Sequence, residues 1–204
     1  MAVKAVVFDL GNVLIEWNPR HLYRKVFSDE EAMEQFLATV CTMEWNDGLD
    51  RGHPLAEAVA TLSAEYPEHA EHIAAYHERW AEMVDGAIDE TVAVLAELRD
   101  AGVPLYALSN WSAETFVLVR DQFPFLDWFA GVLLSSEVGV TKPDVRIFET
   151  LCRRYGLEPA ATLFIDDNAP NVDGARAAGL QAHHYRSAAT LREELVSLRL
   201  VAGE

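Results

Sequence analysis

An open, mostly parallel, doubly wound α/β sheet is the fold that the sequence predicts, and three observations predict it. Short apolar runs recur along the chain, each too short to be a helix. Segments with helical spacing of apolar residues separate most of them. The runs themselves read as continuous apolar stretches rather than alternating ones, as strands do when helices cover both faces of a sheet.

The first run, VKAVVF (3–8), ends at Asp9. VPLYAL (103–108) ends at Ser109-Asn110, GVLLSS (131–136) follows an aromatic stretch, and TLFI (162–165) ends at Asp166-Asp167. LQAHHY (180–185) is the weakest of the five. Helical spacing fills 88–101, 113–122, 143–155, 170–178 and 188–198, with Ala101-Gly102 as a stop, Pro143 at a first helical turn and Gly179 closing another helix. Residues 17–85 break the alternation. PRHLYRKVF, DEEAMEQFLATV, PLAEAVATLSAEY and PEHAEHIAAYHERWAEMV all have helical spacing, Pro67 punctuates them, and none is a strand candidate. The expected organisation is therefore an α/β core of residues 1–16 and 86–204 with a helical cap, residues 17–85, inserted after strand one.

Composition narrows the function classes. A chain of 204 residues, half of them apolar, has enough material for one domain with a smaller insertion. Sixteen basic against thirty-three acidic residues give a net charge of −17, which disfavours nucleic acid and anionic membranes as partners. The two cysteines, Cys41 and Cys152, fit neither a disulfide framework nor a zinc site, so both are expected as free thiols in a reducing cytoplasm. The N-terminal apolar run is broken by Asp9, unlike a signal peptide, and no stretch is long enough to span a membrane. Either a monomer or a homodimer accommodates such a chain.

Ligands of doubly wound sheets bind beyond the carboxyl ends of the strands, where the strand order reverses. With the order 3-2-1-4-5, strands one and four are neighbours there, and Asp9 meets Asp166 and Asp167. Three carboxylates in one crevice call for a protonated member or a cation between them. Oxygen ligands on loops favour a hard ion, and Mg2+ takes one or two carboxylates plus water and phosphate oxygens. With Lys142 added, three carboxylates are balanced by the lysine and one Mg2+, leaving room for an anionic substrate. Any one Asp at a strand end is more often a turn residue or helix cap, so the weight lies in the set: FDLGNV, LSNWS, GVTKPDVRIF and FIDDNAPNVDGA, in that order.

This set resembles the haloacid dehalogenase-like (HAD) superfamily over nearly the whole chain. Within it the sequence is most similar to small bacterial sugar-phosphate phosphatases and to the phosphatase-like domain of some epoxide hydrolases. The resemblance implies a Mg2+-dependent hydrolase in which Asp9 attacks phosphorus and carries an aspartyl phosphate. It implies that Ser109 and Asn110 hold phosphoryl oxygens and that Lys142 balances charge. Asp166 would bind Mg2+ and Asp167 would bind it directly or support it, while Gly11 would offer only its backbone carbonyl. The substrate would be a small phosphorylated metabolite such as a sugar phosphate.

One position departs from that family. The usual pattern has a second Asp two residues after the nucleophile, which protonates the leaving oxygen and later activates water; here Gly11 stands there. The departure fits a phosphatase of good leaving groups, one with a substitute acid, a metal-independent 2-haloacid dehalogenase, or a binding domain without turnover. The Asp166-Asp167 pair favours the phosphatase, because metal-free dehalogenases carry hydroxyl residues at those positions. Glu16, Asp47 and His53 are the candidates for a substitute acid from the cap side, each with an ordinary loop role as its commoner use. Trp17, Trp45 and Trp111 are candidates for an apolar wall, Trp111 foremost. His69, His72 and His77 are expected on a solvated helix face. His183 and His184 should point to opposite faces of the last strand, and Asn171 and Asp173 should support the turn after the carboxylate pair.

Overall fold

The computed structural model describes residues 2–203. Five parallel strands form the main sheet: β1 (Ala5–Phe8), β4 (Leu105–Ser109), β5 (Gly131–Leu134), β6 (Thr162–Asp166) and β7 (Gln181–His184), in the spatial order β5-β4-β1-β6-β7. Renumbered within the sheet this is 3-2-1-4-5, so β1 lies between β4 and β6 at the point of reversal. Five helices follow the strands: α6 (Asp89–Asp100), α7 (Ala113–Val119), α8 (Val145–Tyr155), α9 (Ala169–Ala177) and α10 (Ala188–Ser197).

β1 shows why its sequence is a continuous apolar run. Val6 and Phe8 face a large apolar cluster that includes Leu95 and Leu98 of α6 and Leu191 and Leu195 of α10. Val7 points the other way, into a second cluster with Ile147, Phe148 and Leu151 of α8 and Ala175 of α9. Each face of the strand has its own core, so alternation leaves no polar position.

Between β1 and α6 the chain makes β2 (Ile15–Trp17), then α1 (Pro19–Tyr23), α2 (Glu30–Thr39), α3 (Met43–Asp50), α4 (Leu55–Glu65) and α5 (Ala70–Glu78), then β3 (Val84–Ala87). β2 and β3 pair antiparallel, with Ile15 opposite Ala87 and Trp17 opposite Val84. These two strands went unrecognised in the sequence, because three or four residues that include Asp85 and Gly86 carry no strand period. The large cluster continues from the sheet into the helices through Leu22, Tyr23, Met33 and Phe36.

Three local expectations need correction. Pro143 does not open α8; it follows Lys142 in a cis peptide bond, Asp144 caps the helix by accepting from the Arg146 N–H, and the helix starts at Val145. His69 and His72 do not form a solvated face, although His77 is exposed. The His72 ring packs 4.3 Å from that of Phe27 and the His69 ring 5.3 Å from that of Phe36, so apolar aromatic neighbours half-bury both. GVLLSS is strand only as far as Leu134, and Ser135–Glu137 turn into a short 3-10 helix. Gly179, with φ of 87°, ends α9 as read from the sequence, since a left-handed residue after a helix suits glycine.

Candidate active site

Register alone brings the polar strand ends together. Phe8 is level with Ala107 on one side and Ile165 on the other, so Asp9, Ser109 and Asp166 emerge at the same edge of three adjacent strands. Lys142 reaches them from the loop before α8. That loop is held down in two ways. The Asn110 side chain accepts from the Lys142 N–H at 2.8 Å and donates to its carbonyl at 3.0 Å. On the other flank α9 presses close, and a Cβ on Gly174 would stand 2.3 Å from the Pro143 carbonyl oxygen. Only glycine permits that approach.

The ammonium of Lys142 lies 2.9 Å from Asp9 Oδ2 and 2.6 Å from Asp166 Oδ2. Asp9 Oδ1 accepts from the Ser109 hydroxyl at 3.1 Å and from the Leu10 N–H at 2.7 Å. Asp166 is fully buried and also accepts from the Asn168 N–H at 2.8 Å and from the Asn171 amide at 3.1 Å on both oxygens. Carboxylate oxygens of Asp9, Asp166 and Asp167 lie within 4.8 Å of one another. Asp167, not Asp166, lines the open cavity, while Asp166 sits beneath it holding the lysine.

Electrostatics follow from this crowding. Burial raises the Asp9 carboxyl to about 7; Lys142 pulls it down, and Asp166 and Asp167 push it up. Asp167 is also raised, first by burial and then by Asp166. For Lys142, burial opposes the charge, but the two carboxylates more than offset it and the ammonium is held above its ordinary value. A close-set trio of carboxylates, two of them buried, still carries excess negative charge beside one lysine, and its all-oxygen donor set suits a hard dication. The residues present fit Mg2+.

The cavity over this floor has a volume of about 390 Å³. Gly11 lies in its wall, and a Cβ added there would meet no atom within 4 Å. Of the tryptophans named from the sequence, Trp17 and Trp111 line it; Trp45 does not, being packed edge-on against Tyr76 with ring centroids 4.9 Å apart. Sequence reasoning missed Trp80, whose ring lies 5.7 Å from that of Trp111, and the apolar Met43, Leu49 and Leu55.

Of the cap-side acids, Asp47 reaches the cavity. Glu16 does not; it stands 3.3 Å from His21 and clusters with Asp85. His53 lines a separate cavity with Trp45. Asp50, unnoticed in the sequence, does line the active cavity. The His184 ring donates from Nε2 to the Asp167 carbonyl at 2.9 Å, and Asp173 is an exposed partner of Arg176 at 3.2 Å; neither lines the cavity.

The family model described as haloacid dehalogenase-like hydrolase matches residues 3–179. The chain belongs to this family. As a haloacid dehalogenase-like hydrolase it is 28% identical to a sesquiterpene phosphatase of Aspergillus oryzae, with 96% of each chain aligned. It is 33% identical to an (S)-2-haloacid dehalogenase of Pseudomonas sp. (strain YL) over 50% of its own length and 44% of the dehalogenase. Among solved structures, the HAD family enzyme of Bacteroides thetaiotaomicron in complex with magnesium and inorganic phosphate superposes with a TM-score of 0.66 at 23% identity, covering 90% of this chain and 94% of that one. This last likeness is one of fold.

Proposed function

We propose that this hydrolase is a Mg2+-dependent phosphatase acting on a small phosphomonoester with an apolar body, through an aspartyl phosphate on Asp9. The observation that carries the reading is the Lys142 ammonium bridging Asp9 and Asp166 while Asp167 lies in the same cluster. A metal-free nucleophile needs one balancing cation; three carboxylates need more.

In this reading the side chains of Asp9, Asp166 and Asp167 and the backbone carbonyl of Gly11 would hold Mg2+, within a core of residues 1–16 and 86–204 closed over by the helical cap of 17–85. The ion, when bound, neutralises phosphoryl charge and polarises the phosphorus. Asp9 is aimed by its bonds to Ser109, Leu10 and Lys142, so one oxygen is presented for in-line attack. The Ser109 hydroxyl, 3.1 Å from Asp9, is placed to hand its bond to a phosphoryl oxygen. Asn110 acts by fixing Lys142. Trp17, Trp80, Trp111, Met43 and Leu55 give the cavity an apolar side that suits a hydrocarbon or ring better than a bare sugar. The sesquiterpene phosphatase relative, aligned end to end, supports that substrate class. The buried free thiols Cys41 and Cys152 agree with a cytoplasmic setting.

The test is phosphate release from an aryl phosphate and from a prenyl-type alkyl phosphate, with Mg2+ and with EDTA. Metal-dependent release that vanishes in Asp9→Asn supports the reading. Release of halide from 2-haloacids unaffected by chelator would replace it with the dehalogenase reading, which the Pseudomonas relative keeps in view.

A further inference from the structure

Gly11 offers no side-chain acid two residues after Asp9. We propose that Asp50, the last residue of α3, is the general acid and base of this site, delivered from the cap rather than from the strand that carries the nucleophile. The inference rests on the phosphatase reading above.

Three sets of contacts define its position. Asp50 shares the lining of one cavity with Asp9, Ser109 and Lys142. The end of α3 is pinned to the sheet side, since the Ser135 hydroxyl donates to the Asp50 carbonyl and itself accepts from the Trp111 N–H at 3.0 Å. Two residues on, Gly52 has φ of 95° and a Cβ there would stand 2.8 Å from the Ser136 carbonyl oxygen, so cap and core touch backbone to backbone. The carboxyl itself is oriented by a relay. Tyr76 donates to Asn46 Oδ1, which turns the Asn46 amide toward Asp50, and Asn46 Nδ2 donates to Asp50 Oδ2 at 2.9 Å.

The neighbouring acid does not compete. Asp47 lines the same cavity, but its carboxyl group is engaged in an ion pair with Arg51 at 2.8 Å. No such cation pairs with Asp50 among the described ion pairs. The charged and titratable groups around it are Asp47 on its own helix, Lys142 from the core loop and Tyr76 from α5. Burial first, and Asp47 second, raise its carboxyl to about 7, against the pull of Lys142. A carboxyl at that level holds its proton on the acid side of about pH 7 and can release it near neutrality.

The steps balance. An Asp9 oxygen bonds to phosphorus as the bond from phosphorus to the leaving oxygen breaks. The leaving oxygen takes the proton of Asp50, giving a free alcohol and an Asp50 carboxylate. Water then attacks the aspartyl phosphate, Asp50 takes its proton, and the bond between phosphorus and Asp9 breaks to release inorganic phosphate.

The experiment compares wild type, Asp50→Asn and Glu44→Gln, an exposed change on the same helix, with Mg2+ present. The readout is kcat/KM, which reports the first phosphoryl transfer, over phosphate esters ranging from 4-nitrophenyl to alkyl. Expected is a loss in Asp50→Asn of about 10² or more on alkyl esters, with under about tenfold on the nitrophenyl ester, whose anion departs without a proton. Wild-type kcat/KM on the alkyl ester should also fall as pH rises through about 7, and more steeply than on the nitrophenyl ester. That wild-type profile stands even if the variant misfolds. Equal losses on both esters, no loss, or identical pH profiles would overturn the role of Asp50 while leaving the phosphatase reading intact. A wild type that releases no phosphate from any ester would overturn both.

Discussion

One buried ammonium, that of Lys142, holds Asp9 of one strand end and Asp166 of the next at 2.9 and 2.6 Å. The lysine side chain is only 1% exposed, so its charge has no substitute in solvent. Lys142→Met should cost about 3–5 kcal/mol of stability in urea unfolding without Mg2+, because two buried carboxylates lose their partner. Turnover should fall to background. Lys142→Arg should not restore it, since a guanidinium is broader than an ammonium and the site is closed around the latter. Wild-type stability in the Met variant would sink the argument.

The raised carboxyl of Asp50 has a consequence for folding as well as for chemistry. Its value of about 7 lies above the ordinary 3.8, so the folded state binds this proton more tightly than the unfolded chain does. The stability it contributes is therefore full below about pH 4 and is lost as pH rises through about 7. Asp50→Asn should flatten that decline. Urea midpoints for wild type and variant at pH values on either side of this window measure it, and superimposable declines would contradict it.

Gly11 stands where an acid is affordable in space, with no atom within 4 Å of an added Cβ. Gly11→Asp should therefore fold; with Asp50 already the acid it should change hydrolysis of alkyl phosphates by less than about tenfold, but in the Asp50→Asn background it should restore about 10²-fold, at the lower end of what a positioned acid supplies. The gain should be small on 4-nitrophenyl phosphate. A selective gain of about 10²-fold on alkyl esters with Asp50 intact would show that the cavity lacks a working acid.

Metal binding should be visible without turnover. A ligand that binds only the folded state adds about 2.7 kcal/mol at a hundred times its dissociation constant. Titration with Mg2+ should raise the wild-type Tm, and Asp167→Asn should shift the midpoint of that rise to higher concentration. A Tm indifferent to Mg2+ would argue for the metal-free alternative.

Met43 is 61% exposed at the cavity wall, which makes it a place to test substrate class without disturbing the core. Met43→Glu should leave stability within about 0.5 kcal/mol, as for most surface changes. It should raise KM for a prenyl-type phosphate several-fold and leave KM for a small polar phosphate within about twofold. The reverse pattern would point to a polar substrate.

Much of this architecture was legible because two-sided burial writes itself into short strands. VKAVVF and TLFI could be read as strands, and their terminal Asp9 and Asp166-Asp167 as neighbours, because parallel order places every carboxyl end on one edge. Lys142 was legible from its loop motif, although the way Asn110 and Gly174 hold that loop was not. Asp50 could not be read at all. Its place depends on how α3 docks against Ser135 and Ser136, some 85 residues away in sequence from Asp50, and no local spacing encodes that contact. The same holds for Trp80, whose position beside Trp111 is a product of packing.

The antiparallel pairing of Ile15–Trp17 with Val84–Ala87 has an architectural consequence. Where the chain enters and leaves the inserted helices, its two strands lie one strand spacing apart, about 4.8 Å. Everything between them is thus a cassette on a two-ply tether, and a helical segment of different length could be spliced in without altering the register of β1. What such a splice would have to reproduce is the apolar seam through Leu22, Tyr23 and Phe36, along with a carboxylic acid at the place now filled by Asp50. In the proposed mechanism the nucleophile and its proton donor sit on separate segments, so substrate range could diverge in one while the other stays as it is.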